Sequence, residues 1–202
     1  STPLYSSAAS DVYKRQEYAS ALEHQAEKLR FLIDALVKTS RLESGVLAMT
    51  PKRHGIQQLL DAASAQAAPG AEAKAITLTV EPTDLTARFD PKWTAEALYN
   101  LVDNAVKYTP AGGAVTLRAV GYELFCRVDV TDTGPGIPES EQARIFQRFY
   151  RSPSASEAEG VGIGLYLARQ IAAGQGGYLK VSSRPGEGST FSLFLPRAEE
   201  RT

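Results

Sequence analysis

Two asparagines and a lysine are threaded through an otherwise apolar run at residues 100–110, NLVDNAVKYTP. At about 100° of rotation per helical residue, Asn100, Asn104, Lys107 and Tyr108 share one face. Leu98, Leu101, Val102 and Ala105 are then left to pack on the rest of a fold. Amide oxygens can ligate a hard cation, and a lysine ammonium neutralises phosphate oxygens. A solvated polar stripe has the same pattern, so this helix alone leaves both readings open.

Three further stretches carry the same kind of ambiguity. In DTGPGIP, residues 132–138, Gly134 and Gly136 let main chain approach a ligand closely, and Asp132 can accept a hydrogen bond from an exocyclic amine. The bland alternative is a plain turn. An aspartic-protease reading needs a second carboxylate motif, and the sequence has none. In GVGIGL, residues 160–165, Gly160, Gly162 and Gly164 stand at a helix start, where unpaired N–H groups suit a phosphate or the glycines serve as a hinge. That spacing is not G-x-G-x-x-G, and no G-x-x-x-x-G-K-[ST] occurs, which disfavours the dinucleotide and P-loop folds. GEGSTFSLFLP, residues 186–196, reads by itself as a hairpin turn.

The elements that must position these residues follow from periodicity. Residues 55–198 read as one α/β domain. Helices are expected over IQQLLDAASAQAA, from Pro91 to Tyr108, around ESEQARIFQRF and over GLYLARQIAAGQ. Strands are expected at ITLTVE, LTARFD, GAVTLRAV, LFCRVDVTD, GYLKVSSRP and STFSLFLP, the last two joined through Gly186 and Gly188. Hairpins mixed with helices in this order predict an α/β (α+β) two-layer sandwich rather than a parallel wound sheet. The polar run SPSASEAEG has no apolar period and reads as a loop. Ahead of the domain, Leu22, Leu29 and Leu36 recur every seven residues, and Ala26, Ile33 and Ser40 complete an a/d seam over residues 17–45. Gly45 suits the C-cap of this helix, and residues 46–54 read as a linker. Residues 1–16 lack periodicity and are read as a leader, artefactual or disordered.

Composition narrows the classes. With 202 residues, 43% hydrophobic and 22% charged, the chain is expected to be soluble and globular, with room for one full domain plus a smaller part. Lys+Arg at 22 against Asp+Glu at 23 leaves no basic excess for nucleic acid. The single cysteine, Cys126, cannot form an internal disulfide and reads as a buried, reduced residue of a cytoplasmic protein. No apolar run approaches the roughly 18 residues of a membrane helix.

Taken in order, NLVDNAVKYTP, DTGPGIP, IFQRFYR, GVGIGLYLAR and GEGSTFSLFLP resemble the N, G1, F, G2 and G3 boxes of bacterial sensor histidine kinases of two-component systems. The resemblance covers residues 55–196 and implies a Bergerat or GHKL-type ATP-binding sandwich, shared with gyrase, heat-shock-90 and mismatch-repair ATPases. It implies ATP and Mg²⁺ as cofactors, with Asn104 coordinating the metal, Asn100 beside it, Lys107 on phosphate and Tyr108 lining the nucleotide. It places Asp132 on the adenine amino group, with Gly134, Gly136 and Ile137 shaping that pocket and Thr190 near the base. Gly160, Val161, Gly162, Ile163, Gly164 and Leu165 fall on the phosphate side, and Arg148 or Arg151 approaches the γ-phosphate. ATP-hydrolysing relatives carry a glutamate four residues before the metal asparagine. Here that position is Asn100, so the resemblance favours phosphoryl transfer to a partner over hydrolysis.

The helix over residues 17–45 resembles the second helix of the family's dimerisation and phosphoacceptor hairpin, which implies a homodimer through a four-helix bundle. The acceptor motif H-[DE]-x-x-x-P is absent from the sequence. His24 and His54 are not followed by a carboxylate and read as surface residues. The chain is therefore expected to be the cytoplasmic portion of a membrane-anchored sensor, truncated in its acceptor hairpin, unable to phosphorylate itself and partnered in the intact protein by a response regulator. The rival readings are a GHKL-type ATPase and a non-catalytic nucleotide-binding module.

Overall fold

The computed structural model describes residues 4–43, 49–152 and 161–198, and the chain divides at Arg41 and Leu42 into two units. The first is one helix, α1 (Leu4–Glu43). Residues 4–43 contain neither glycine nor proline, so nothing in them breaks a helix. The helix accordingly takes in residues 4–16, which the sequence reading sets apart as a leader. Tyr18, Leu22, Leu29, Ile33 and Leu36 are each more than half exposed, so the expected seam is an apolar stripe on the helix surface. Gly45 and the first residues of the expected linker, 46–48, lie outside the described residues.

The second unit runs β1 (Lys52–Gly55), α2 (Ile56–Ala73), β2 (Thr77–Val80), β3 (Thr86–Phe89), α3 (Pro91–Tyr108), β4 (Ala114–Gly121), β5 (Phe125–Asp132), α4 (Glu139–Gln142), α5 (Gly164–Gly174), β6 (Tyr178–Arg184) and β7 (Gly188–Pro196). Five strands form one mixed sheet in the order β2-β4-β5-β7-β6, in which β2 and β4 are parallel and the other neighbours antiparallel. β1 and β3 form a separate antiparallel ribbon. This is the expected two-layer sandwich. Strand alternation turns Val115 and Leu117 of β4, Val128 and Val130 of β5, and Phe191, Leu193 and Leu195 of β7 inward. They meet a helical layer whose buried faces include Leu98, Leu101, Val102 and Ala105 of α3 and Leu167, Ala168 and Ile171 of α5. Burial of each large side chain contributes about 1.5–3 kcal/mol. No helix among the described residues is long and apolar enough to cross a membrane.

Three boundaries differ from the sequence reading. Residues 52–54 of the expected linker, together with Gly55, pair with β3 as a strand. α2 continues through Pro69 and Gly70 to Ala73, because Ala67 and Ala71 are buried on a face that packs on α3 and outweigh the local breakers. The helix expected around ESEQARIFQRF is a single turn, α4, followed by tight turns such as Gln147 N–H to the Arg144 carbonyl (2.8 Å), and Phe149 takes a φ of 60°. Apart from Ser152, the run SPSASEAEG lies outside the described residues.

α3 begins where its chemistry dictates. Asp90 caps it, Oδ1 accepting from the N–H groups of Lys92 (3.1 Å) and Trp93 (3.3 Å), with Pro91 at the first helical position. Asp90 Oδ2 accepts from the Thr50 N–H (3.0 Å), and the Asp90 N–H donates to Gln175 Oε1 (2.5 Å) just past α5. Burial pushes the Asp90 carboxyl up, but the hydrogen bonds from Thr50, Trp93 and Lys92 outweigh it and hold the group below its ordinary value. The start of α3 is thereby tied to both the incoming chain and the end of α5.

Candidate nucleotide-binding site

Along α3, Asn100, Asn104, Lys107 and Tyr108 are all half-buried, whereas Leu98, Leu101, Val102 and Ala105 are sealed in the core. Asn100 Nδ2 donates to the Glu96 carbonyl (3.0 Å), which fixes the amide and turns Oδ1 toward the start of α5. A Cβ added to Gly164 would lie 2.9 Å from that oxygen, so glycine is what lets α5 begin against Asn100. The Asn104 side chain has no hydrogen-bond partner among the described residues, which leaves its oxygen available to a ligand. α5 opens without a side-chain cap, so its first N–H groups are not taken by a side chain.

Asp132, at the end of β5, is 6% exposed. Its Oδ1 accepts from the Gly134 N–H (2.8 Å), and the carboxylate also accepts from the backbone N–H of Ser189. Burial pushes its pKa up, and these two N–H groups pull partly back. Gly134 lies against the end of α3, where a Cβ would come 3.3 Å from the Tyr108 carbonyl oxygen. Gly136, at a φ of 73°, passes directly over the Arg184 carbonyl, a place closed to any side chain. The Ile137 N–H donates to Ser183 Oγ (2.8 Å), and Gln142 Nε2 donates to the carbonyls of Ile137 (3.0 Å) and Ser183 (2.9 Å). The loop after Asp132 is thus stitched to the β6–β7 hairpin.

The two candidate arginines part company. Arg148 donates to the Tyr166 hydroxyl (2.9 Å) and lies over its ring at 4.8 Å, on the first turns of α5. Arg151 acts electrostatically on Tyr108: burial pushes that phenol up, and the Arg151 guanidinium pulls it down. Arg151 is thus the one whose charge acts on a residue of α3. Gly162 takes a φ of 74°, its carbonyl accepts from the Phe149 N–H (2.9 Å), and a Cβ there would come 2.6 Å from the Tyr150 carbonyl oxygen. That contact joins the IFQRFYR turn to the glycine segment. Ile163 is buried, Val161 and Leu165 are half-buried, and Gly160 lies outside the described residues.

Thr190, expected near the base, lies on the sheet face opposite Asp132. It pairs directly with Thr131, and the two hydroxyls are 3.0 Å apart on the sheet face away from the helices. With a side-chain period of two, the residue beside Asp132 is its register partner Ser189. Ser189 is buried and shares a hydrogen bond with Ser183 (2.9 Å). Ser183, Gln142 and Tyr166 were not singled out from sequence, since each acts through tertiary contacts. The strand alternation of STFSLFLP, with Phe191, Leu193 and Leu195 inward, does signal Ser189.

Residues 89–199 match the family described as histidine kinase-, DNA gyrase B-, and HSP90-like ATPase. The chain belongs to this family. It is 33% identical over 189 residues to the circadian input-output histidine kinase CikA of Synechococcus elongatus, covering 91% of this chain and 25% of that protein. It is 34% identical over 186 residues to the adaptive-response sensory kinase SasA of a Synechococcus species, covering 91% of this chain and 49% of that protein. The crystal structure of full-length ShkA in complex with AMPPNP is similar at a TM-score of 0.80 and 27% identity, over 94% of this chain and 40% of that one. The chain thus spans a quarter to a half of the length of these curated relatives. As a member of this ATPase family, it has residues that suit a magnesium nucleotide: a buried carboxylate at the end of the central strand, glycines that let main chain approach, and two amides and an ammonium on one helix face.

Proposed function

We propose that this chain is the ATP-binding catalytic part of a two-component sensor histidine kinase. The observation that carries the reading is the close glycine packing at both ends of one α3 face, Gly134 against Asp132 and the Tyr108 carbonyl and Gly164 against Asn100, with Asn100 in the place of a water-activating glutamate. Asp132 receives the adenine amino group, and the loop from Gly134 to Ile137 closes around the base. Asn104 holds Mg²⁺ with Asn100 beside it, Lys107 and Arg151 face the phosphates, and the metal supplies charge neutralisation there. Asn100 is bonded to the Glu96 carbonyl and bears no carboxylate, so the glutamate that activates water in hydrolysing relatives is replaced here by an amide. The γ-phosphoryl group passes instead to a histidine, for relay to an aspartate of a response regulator.

The exposed stripe of α1 is the half-interface of a homodimer, and the parent protein is a membrane-anchored sensor with this part in the cytoplasm. Sedimentation over a range of concentrations tests the stripe, and a strictly monomeric chain counts against it. Incubation with radiolabelled ATP tests the catalytic reading. This chain is expected to release phosphate negligibly and to carry no acid-labile phosphate on His24 or His54. Sustained phosphate release would place it with the hydrolysing ATPases, and labelled His24 would overturn the expectation that this chain cannot phosphorylate itself.

A further inference from the structure

The last turn of α3 poses an accounting problem. A helix C-terminus leaves its final carbonyls without helical partners and concentrates partial negative charge. Yet in the reading above this is the turn from which Lys107 faces a polyphosphate and Tyr108 lines the nucleotide. Lys74, in the turn after α2, supplies the missing partners. Its Nζ donates to the carbonyls of Val106 (2.8 Å), Lys107 (2.8 Å) and Thr109 (2.5 Å). All three donors of one ammonium are used on one helix end. The Ala105 carbonyl is taken by the Thr109 N–H (3.0 Å) and hydroxyl (2.6 Å), and the Tyr108 carbonyl lies against Gly134. The main chain of Lys74 is itself held, its carbonyl accepting from the Gly112 N–H (3.0 Å) and its N–H donating to Ala71 (3.2 Å).

We infer that Lys74 is a positioning residue for nucleotide binding: by capping and neutralising the carboxyl end of α3, it fixes Lys107 and Tyr108 and removes a negative pole that would oppose the phosphates. The inference rests on the nucleotide reading of this site. Position alone would affect every ligand of the pocket equally. Charge neutralisation favours a ligand in proportion to its negative charge, and this difference is measurable.

The test compares adenosine, ADP and ATP binding by calorimetry in the wild-type chain, Lys74→Met and Lys74→Arg. For Lys74→Met, ATP affinity is expected to fall about tenfold at low ionic strength, ADP less, and adenosine by less than about twofold. Lys74→Arg, which keeps the charge and the donors, is expected to stay near wild type. Should Lys74→Met fail to fold, Lys74→Gln keeps two N–H donors without the charge and carries the same comparison. An equal loss for adenosine and ATP would reduce Lys74 to a prop of the fold, and unchanged ATP affinity would overturn the inference while leaving the site intact. Absence of ATP binding in the wild-type chain would overturn the site and this role together.

Discussion

Replacing Asp132 by asparagine tests the contact proposed for base recognition. The carboxylate is 6% exposed and already accepts from Gly134 (2.8 Å) and from the Ser189 N–H, so its position is set before any ligand arrives. Asparagine keeps the shape and one acceptor oxygen but presents an NH₂ group where a second acceptor stood. That group faces either the Ser189 N–H or the adenine amine, donor against donor. A hydrogen bond to a charged group is worth about 1.5–3 kcal/mol, so ATP affinity is expected to fall by about tenfold to a hundredfold. The fold should not suffer in step, because burial already works against the ionised carboxyl. The acid form has its own signature. The folded-state pKa of Asp132 is raised, so its contribution to stability declines as pH rises from the unfolded value through the folded one. ATP affinity gains over the same window, because the ionised carboxylate is the stronger acceptor for the base amine. A fluorescence titration with a trinitrophenyl ATP analogue, run alongside thermal unfolding, reads both. Asp132→Asn binding within about threefold of wild type would refute the assignment of Asp132 to the base.

Two further perturbations separate fold from site. Gly164→Ala places a Cβ 2.9 Å from Asn100 Oδ1; ATP affinity should drop severalfold while stability changes by no more than about 1 kcal/mol, and an unchanged affinity would remove Asn100 from the phosphate side. Asp90→Ala removes the α3 cap and the tie to Thr50, costing about 1–2 kcal/mol in chemical denaturation. Because the folded pKa of Asp90 is depressed, its contribution is present above the unfolded pKa and lost as pH falls through the folded one. Equal losses for Asp90→Ala at neutral and strongly acid pH would contradict that account.

What could be read from sequence was what local chemistry fixes. Asp90 and Pro91 announce the start of α3, and the 3.6-residue period separates its core face from Asn100, Asn104 and Lys107. The β6–β7 hairpin follows from Gly186, Gly188 and the alternating STFSLFLP. Misreadings arose where tertiary contacts decide. Pro69 does not end α2, because Ala67 and Ala71 bury beyond it, and the strand at residues 52–55 exists only by pairing with β3. Thr190 stands one residue from Ser189, the register partner of Asp132, and in a strand one residue moves a side chain to the opposite face. The sequence left Arg148 and Arg151 equivalent; Tyr166, eighteen residues beyond Arg148, separates them. Lys74 carries no motif at all, and its role depends on the meeting of α2 and α3.

The most direct test of the account is a calorimetric titration of this chain with a non-hydrolysable ATP analogue, with and without Mg²⁺. The account predicts saturable binding at one site that strengthens when magnesium is present. No heat of binding under either condition would contradict it, and would place the chain among non-catalytic members of the fold.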